Sequence, residues 1–247
     1  MVYKALYCQN IEVDIIPCDK ISDFNGYDML VIPPLYVATD ELLLAIDKFV
    51  KDGGHVVMMH KSGYCNEHSA VRATAAPGPL RKACGFYYQE FSTISEMQLR
   101  SNPFQLADKN QIGDWYEFLV PETAKPLAYA DHTFYGKWPV ITENTYGKGK
   151  LTYIGTYPSQ ELLNTIIKKT AIAAQIITAD NYTFPIIQRS GTNKWSKVVH
   201  YLFNYSAEAK QITYTGHPAK ELISGKNTQA GQQITLDPWE VLIMEQN

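Results

Sequence analysis

Two apolar runs separated by an amphipathic segment constrain the first half of the chain more than any other feature. The runs lie at 28–32 and 55–60, and each has the length of a strand buried on both faces. Between them, 39–51 has apolar residues at helical spacing, acidic residues in its first turn and Gly53-Gly54 after its last. Strands and a helix joined by short connections predict a parallel sheet covered by helices. We therefore expect an α/β domain.

Other segments of the same domain fit this pattern. Strands are predicted at 13–16, 87–94 and 127–130, a short helix at 80–83, and a hairpin at 140–154. Gly147-Lys148-Gly149 is the turn of that hairpin and is too short for a phosphate loop. Ser159 is expected to cap a helix that runs to about Ile177. The residues at 2–9 have helical character without a cap, which predicts the remainder of a longer helix.

The residue pattern of the sequence changes after the last predicted helix. From Thr183 onward, short strands alternate with turn residues at roughly ten-residue spacing, and no helical pattern intervenes. This pattern predicts a small all-β antiparallel sandwich. We place the boundary near 178–182, which gives domains at 1–180 and 181–247.

Charge and cysteine content exclude several classes of partner and site. The chain has 22 basic and 25 acidic residues without a basic stripe, so no nucleic-acid partner is expected. Its longest apolar stretches are shorter than the roughly 18 residues that span a bilayer, so no membrane partner is expected. The four cysteines form no C-x-x-C pair, which argues against a zinc site or a disulfide framework and favours a cytoplasmic location.

The turn after the second apolar run is the place where an α/β hydrolase would carry a nucleophile. Ser62 lies in this turn, but His60 occupies the position of the first flanking glycine. Cys65 lies about three residues farther on, and His68 is adjacent in sequence, whereas a catalytic base normally comes from another loop. We expect Ser62 and Cys65 to be chemically ordinary. A free-standing Cys/Ser hydrolase stays open as an alternative, and it requires one of them on a true elbow with a histidine in reach.

Metal and glycosidase sites are not indicated by the spacing of the remaining candidates. His55 and His60 bracket a strand and should point to opposite faces, so a metal site with His68 is not expected. Glycoside hydrolysis needs two opposed carboxylates, and the candidates by residue type alone are Glu90, Asp114, Glu117, Glu122 and Asp131. No spacing pairs them. We therefore assign no catalytic, cofactor-binding or metal-binding residue and expect no cofactor.

Aromatic residues leave a further alternative open. The chain has 17 tyrosines, which are typical both of β-rich proteins and of sugar-contacting surfaces. Trp195, Tyr201, Tyr205, Tyr214 and Trp239 of the small domain form either a carbohydrate-binding platform or a sandwich core with exposed aromatic edges.

The ordered set of segments resembles the C-terminal part of a glycoside hydrolase family 42 β-galactosidase. In the first domain the resemblance rests on 3–6, 13–14, 27–33, 49–50, 53–54, 62–63, Glu67, 78–81, Gly85, 90–91, Trp115, 146–149 and 153–156. In the second domain it rests on 201–204, 221–225 and 236–241. Coverage is nearly complete, although 92–113 matches poorly and its role is left open.

The resemblance implies a division of labour within a longer protein. Members of this family carry an N-terminal (β/α)8 barrel with both catalytic glutamates, which hydrolyse terminal β-galactosides by a retaining mechanism. A glutamine-amidotransferase-like (flavodoxin-like) domain that lacks the amidotransferase nucleophile mediates trimerisation, and a small β domain ends the chain. We therefore expect non-catalytic oligomerisation and C-terminal domains, inactive alone, whose partners are copies of the same chain in a homotrimer and the chain's own N-terminal barrel.

Overall fold

The computed structural model describes residues 1–18, 24–178 and 182–246, and the chain forms two compact units. Unit 1 comprises Met1–Ala5 and Asp14–Ile177, and unit 2 comprises Leu6–Val13 and Thr178–Asn247. The division into domains at 180/181 stays a prediction. The compact units differ from it in one segment, because 6–13 groups with the C-terminal strands. Within the described residues, we find no helix long and apolar enough to cross a membrane.

The helices are short and few in the part of the chain that the structure describes. They are α1 (Val2–Tyr7), α2 (Asp40–Asp52), α3 (Arg81–Cys84) and α4 (Gln160–Ala173). The predicted helices at 2–9, 39–51 and 80–83 correspond to the first three. The last helix ends at Ala173 instead of Ile177, and Gln175 has a φ of 60° in the turn that follows.

The strands of unit 1 form two main sheets. Their bounds are β1 (Met29–Ile32), β2 (His55–Met59), β3 (Phe86–Tyr87), β4 (Phe91–Ser92), β5 (Met97–Gln98), β6 (Gln111–Glu117), β7 (Val120–Pro121), β8 (Lys125–Tyr129), β9 (Pro139–Tyr146), β10 (Gly149–Ile154) and β11 (Thr156–Pro158). The central sheet has the order β1-β2-β10-β9-β8, and the second has the order β11-β6-β4 with β5 also paired to β6.

The central sheet is mixed, which corrects the expectation of a parallel sheet. Strands β1, β2 and β10 are parallel, whereas β9 and β8 run antiparallel to their neighbours. The reason is the predicted hairpin. Gly147 has a φ of 60° in its turn, and a tight turn of this kind returns β9 directly beside β10, so the sheet continues in antiparallel pairing. The unit is thus α/β with an antiparallel region.

Two strand predictions in unit 1 were wrong. The segment 13–16 forms no strand, and Ile15 is 79% exposed, because a run of four residues gains little without a neighbouring strand to pair with. The segment predicted as one strand at 87–94 forms only the short strands β3 and β4. Strand β6 was not foreseen, since Gly113 and Asp114 interrupt its β-forming pattern, and Asp114 has a φ of 59°.

Helix α2 shows how the local signals and the core agree. The Thr39 hydroxyl accepts a hydrogen bond from the Leu42 amide at 3.2 Å, and Gly53, with a φ of 130°, ends the helix. Its buried face packs into a core with β2 and β10, and the helix contributes Leu42, Leu43, Ile46 and Val50 to that core. Burial of each such side chain stabilises the fold by about 1.5–3 kcal/mol.

Unit 2 is antiparallel throughout its described strands, as predicted. They are β12 (Ile186–Thr192), β13 (Val198–Asn204), β14 (Lys210–Thr213), β15 (Ala219–Glu221), β16 (Asn227–Thr228), β17 (Gln233–Leu236) and β18 (Val241–Gln246). The order β12-β13-β18-β15-β16 forms one sheet and β14-β17 another. Buried residues of both sheets share one core, and β15 and β16 were missed because they are only two or three residues long.

Asn10 contributes several of the hydrogen bonds that hold the N-terminal segment of unit 2 to the start of β12. The Asn10 amide donates to the carbonyls of Tyr182 at 2.8 Å and Ile186 at 3.0 Å. Its Oδ1 accepts from the Gln188 amide at 2.8 Å. These contacts explain why 6–13 belongs to unit 2.

Candidate functional site

The tight turn after β2 is the candidate functional site of unit 1. Strand β2 ends at Met59, and Lys61 has a φ of 61°, a conformation that non-glycine residues rarely adopt. A nucleophile of an α/β hydrolase stands in such a turn. Here the residue is a lysine, and its Nζ lies 3.8 Å from the centroid of the Trp115 ring. Lys61 was not predicted as the residue of this turn, because the sequence pattern of a hydrolase elbow was aligned on Ser62.

A fully buried carboxylate lies under this turn. Glu117 Oε1 accepts hydrogen bonds from the Lys61 amide at 2.7 Å and from the Trp115 indole at 3.2 Å. Its Oε2 accepts from the Tyr153 hydroxyl at 2.8 Å. Trp115 and Glu117 are two residues apart in β6 and therefore lie on one face of it. Burial raises the pKa of Glu117, although these hydrogen bonds act in the opposite direction.

Ser62 and Cys65 are held by contacts with neighbouring backbone segments. The Ser62 hydroxyl donates to the Met59 carbonyl at 2.7 Å and accepts from the Leu35 amide at 3.2 Å. Cys65 is buried in bridges to Val37 and Val71. His68 lies in solvent, with its Nε2 3.5 Å from a Glu67 oxygen. Among the described residues, no recorded contact joins Ser62 or Cys65 to a histidine, so the hydrolase alternative lacks a nucleophile–base pair there.

The other histidine candidates are not brought into a metal site. Nδ1 of His60 donates to the Thr156 carbonyl at 2.9 Å, and burial lowers the pKa of His60 to about 4. His55 lies at the start of β2, and burial lowers its pKa as well. No group of three or more metal-ligating side chains occurs in the described ranges.

The five carboxylates considered as glycosidase candidates differ in their surroundings. Glu122 forms an ion pair with Arg81, whose Nε lies 2.8 Å from Oε2, and this pair lowers the pKa of Glu122. Glu117 is the buried one. Within the described part of the chain, no hydrogen bond or ion pair joins any two of Glu90, Asp114, Glu117, Glu122 and Asp131. That no residue here is catalytic remains a prediction.

An aromatic row beside the turn was overlooked in the sequence. We call it the strand-end row, and it consists of Tyr36, Tyr64, Phe91 and Trp115. Their ring centroids are 5.6, 5.7 and 4.3 Å apart in that order. Tyr36 is 44% and Phe91 40% exposed. The row joins the buried Glu117 to the surface, and its members come from separate segments, so no local pattern signals it.

In unit 2 the aromatic residues considered as a carbohydrate-binding platform differ in their exposure. Tyr214 is buried, and its hydroxyl donates to the His217 carbonyl at 2.9 Å, whereas Trp195 and Trp239 are exposed. Tyr201 and Tyr205 are half exposed and flank Phe203, with centroids 6.4 and 5.6 Å apart and ring planes within 13°. We call these three residues the β13 row. Phe203 was missed, although the spacing of two places all three on one face of the strand.

Comparison with known proteins gives consistent matches. The family model described as the β-galactosidase trimerisation domain matches residues 2–177. The β-galactosidase LacA of Lactobacillus acidophilus is 28% identical over 98% of this chain and 35% of its own length. The β-galactosidase BgaB of a Geobacillus species is 29% identical over 80% of this chain and 29% of its own length. The chain thus spans about a third of these relatives.

Solved structures agree with the fold. The β-galactosidase of Bacillus circulans sp. alkalophilus has a TM-score of 0.83 and 25% identity, covering 100% of this chain and 36% of that chain. The cold-adapted β-galactosidase of Rahnella sp. R3 has a TM-score of 0.80 and 24% identity, covering 99% of this chain and 36% of that chain.

Proposed function

Since the chain belongs to the β-galactosidase trimerisation domain family, which confirms the resemblance seen in the sequence, we propose that it forms the oligomerisation and C-terminal part of a β-galactosidase-like enzyme. The family match over residues 2–177 is the observation that carries this proposal. The partners are other copies of the same chain, in a closed homotrimer, and an N-terminal catalytic barrel of the same protein. The match also supports the proposed domain boundary after residue 180.

We propose that unit 1 has an amidotransferase-like arrangement without its nucleophile. Three features support this: the parallel strands β1, β2 and β10, the helix α2 that connects the first two, and the strained turn at Lys61. In that turn the Lys61 amine lies 3.8 Å from the centroid of the Trp115 ring, and the residue has neither the hydroxyl nor the thiol of a serine or cysteine nucleophile.

The strand-end row is our candidate for the contact surface between copies. Interfaces are enriched in aromatic residues and depleted of charge at their centre. Tyr36 and Phe91 are exposed, large and joined through Tyr64, and Val37 and Val71 beside Cys65 add exposed apolar surface. A closed trimer buries such a row on each copy.

Sedimentation velocity across a concentration series tests the proposal. We expect a species of three times the monomer mass, and Phe91→Ser should shift the population toward monomer. The matched control is Leu44→Ser, which removes an exposed apolar side chain from α2, outside the row. A strict monomer at every concentration would contradict self-association, and equal sedimentation of the two variants would contradict the row as the contact.

The whole enzyme is proposed to hydrolyse terminal β-galactosides, with both catalytic glutamates outside this chain. A retaining mechanism needs two carboxyl groups roughly 5 Å apart, and the sequence pairs none of the candidate carboxylates by spacing. We expect no turnover of a chromogenic galactoside by the purified chain. Turnover that Glu90→Gln or Asp131→Asn abolishes would overturn this part of the proposal.

A second candidate function is carbohydrate contact by unit 2, and the β13 row favours it. Near-parallel aromatic rings on a strand face offer an apolar surface of the kind that sugar rings pack against, with tyrosine hydroxyls at its edge. Titration of galacto-oligosaccharides into the chain by calorimetry tests it. Binding that Tyr201→Ser and Tyr205→Ser weaken, and that Trp195→Ser leaves unchanged, would support it, and absence of heat at millimolar sugar would exclude it.

A further inference from the structure

We infer that the Lys61 amide, the Trp115 indole and the Tyr153 hydroxyl form a carboxylate-binding site in unit 1, and that the chain fills this site with its own Glu117. The inference does not depend on self-association or on the parent enzyme. It concerns the turn in which a hydrolase of similar architecture would carry its nucleophile and its anion-binding amides.

The three donors come from three different elements of the unit. Lys61 follows β2, Trp115 lies in β6 and Tyr153 lies in β10, and they reach the two oxygens of Glu117 at 2.7, 3.2 and 2.8 Å. Backbone and indole N–H groups can only donate, so Oε1 must accept from both. Sheet pairing fixes the backbone of β6 and β10, so we expect the donors to keep their places when the glutamate side chain is removed.

The surroundings of the three donors restrict the size of the ligand. Glu117 and Tyr153 are completely buried, and Tyr88, almost completely buried, lies close enough for the charge of Glu117 to raise the pKa of its hydroxyl, in addition to the effect of burial. A Cβ added at Gly155 would lie 3.3 Å from Oε2, so the cavity is closely fitted to the carboxylate. Truncation of Glu117 to alanine removes a group of the size of acetate, and formate and acetate are therefore the ligands that the emptied site should take.

The test is thermal unfolding of the full-length Glu117→Ala chain in sodium acetate and in sodium chloride, at one pH and equal ionic strength. We expect Tm to be below that of the wild type in chloride and to rise saturably with acetate, by about 3–6 °C at ten times the dissociation constant. Wild type and Glu117→Gln, whose sites are occupied, should show no acetate-specific rise. Equal Tm values of Glu117→Ala in both salts, or an equal rise in the wild type, would overturn the inference.

A second measurement decides the matter if Glu117→Ala does not fold in either salt. In a chain that keeps Glu117, Trp115→Phe and Tyr153→Phe each remove one donor and should raise the pKa of Glu117. Carbon-13 NMR of the glutamate carboxyl groups measures this pKa. Leu44→Ser, which changes no donor, is the control. An unchanged titration in both donor variants would show that these groups do not bind the carboxylate and would overturn the inference.

Discussion

Each unit buries a glutamate, and the pKa values of the two carboxylates are shifted in opposite directions. In unit 1, burial raises the pKa of Glu117 and outweighs its hydrogen bonds. In unit 2, desolvation also raises the pKa of Glu221, but hydrogen bonds from Ser224 and from the Ile223 amide, at 2.9 Å, outweigh it and leave the pKa lowered. The comparison shows that the balance between desolvation and hydrogen bonding, rather than burial alone, decides whether the ionised form of a buried acid is stabilised.

The units also differ in how their polar interiors are built. Unit 1 gathers donors around one carboxylate from three strands or strand ends. Unit 2 uses neutral amide side chains to join segments across a small core. The Asn204 amide donates to the carbonyls of Glu208 at 2.8 Å and of Asp237 at 2.9 Å. In a small core such hydrogen bonds contribute more to fixing a single packed structure, because fewer apolar groups are buried there.

The largest effect that we predict follows from removing the hydrogen bonds of Glu117 in unit 1. Glu117→Leu should lower the free energy of unfolding by about 3–5 kcal/mol, because it leaves one buried and two partly buried donors without an acceptor. Glu117→Gln is the matched control, since its amide can accept from Lys61 and Trp115 and donate to the Tyr153 oxygen. Urea unfolding measures both variants. Equal destabilisation by the two substitutions would show that shape, and not hydrogen bonding, matters there.

A smaller effect is expected in unit 2 from Asn204→Ala. The substitution leaves the buried carbonyl of Leu236 and the partly buried carbonyl of Asp237 without this donor, so the free energy of unfolding should fall by about 2–3 kcal/mol. Hydrogen exchange read by mass spectrometry should place the loss in peptides of unit 2. Increased exchange in the strands of unit 1 to the same extent would contradict the separation of the two units.

A weaker effect should separate the two glutamates across pH. Because its folded pKa is raised, Glu117 contributes stability that is fully present below its unfolded pKa and is lost as pH rises through the folded pKa. Glu221 has a lowered pKa, so its contribution is present above the unfolded pKa and is lost as pH falls through the folded pKa. Tyr88, Tyr153 and Cys84 are titratable groups that interact with Glu117, and the pKa values of all three are raised, so they stay neutral over the range in which a glutamate titrates.

Glu117→Gln and Glu221→Gln separate these contributions. As pH rises above the unfolded pKa of glutamate, the first substitution should remove a loss of stability, and as pH falls below it, the second should remove a loss. Urea midpoints at half-unit pH intervals measure both slopes. Changes in slope relative to the wild type that have the same sign in the two variants would contradict the opposite environments that the structure gives these carboxylates.

The parts of the fold that could be predicted from sequence are those that local signals determine. The cap at Thr39, the apolar face of α2 and the glycine turn at Gly147 each lie within a few residues of the structure they specify. Strand β6 could not be predicted in this way, since Asp114 bends it and its partners β4, β5 and β11 lie far apart in sequence.

The candidate site was harder to predict for the same reason. Glu117 was considered only as one acid among five, because its donors Lys61, Trp115 and Tyr153 come together through the sheets and only Trp115 is near in sequence. The sequence located the turn after β2 correctly, but φ at Lys61 depends on tertiary structure, so the elbow was assigned to Ser62 instead.

The smallest effect that we predict tests the local signals. Thr39→Ala removes the hydroxyl that accepts from the Leu42 amide, and the free energy of unfolding should fall by about 1 kcal/mol. Thr39→Ser keeps an oxygen in this position and is the matched control. Because the cap serves α2 alone, exchange should increase in the first turn of that helix, while peptides of β13 and β18 stay unchanged. A loss as large as that of Asn204→Ala would show that the helix end, like the bridges of unit 2, carries tertiary contacts beyond its cap.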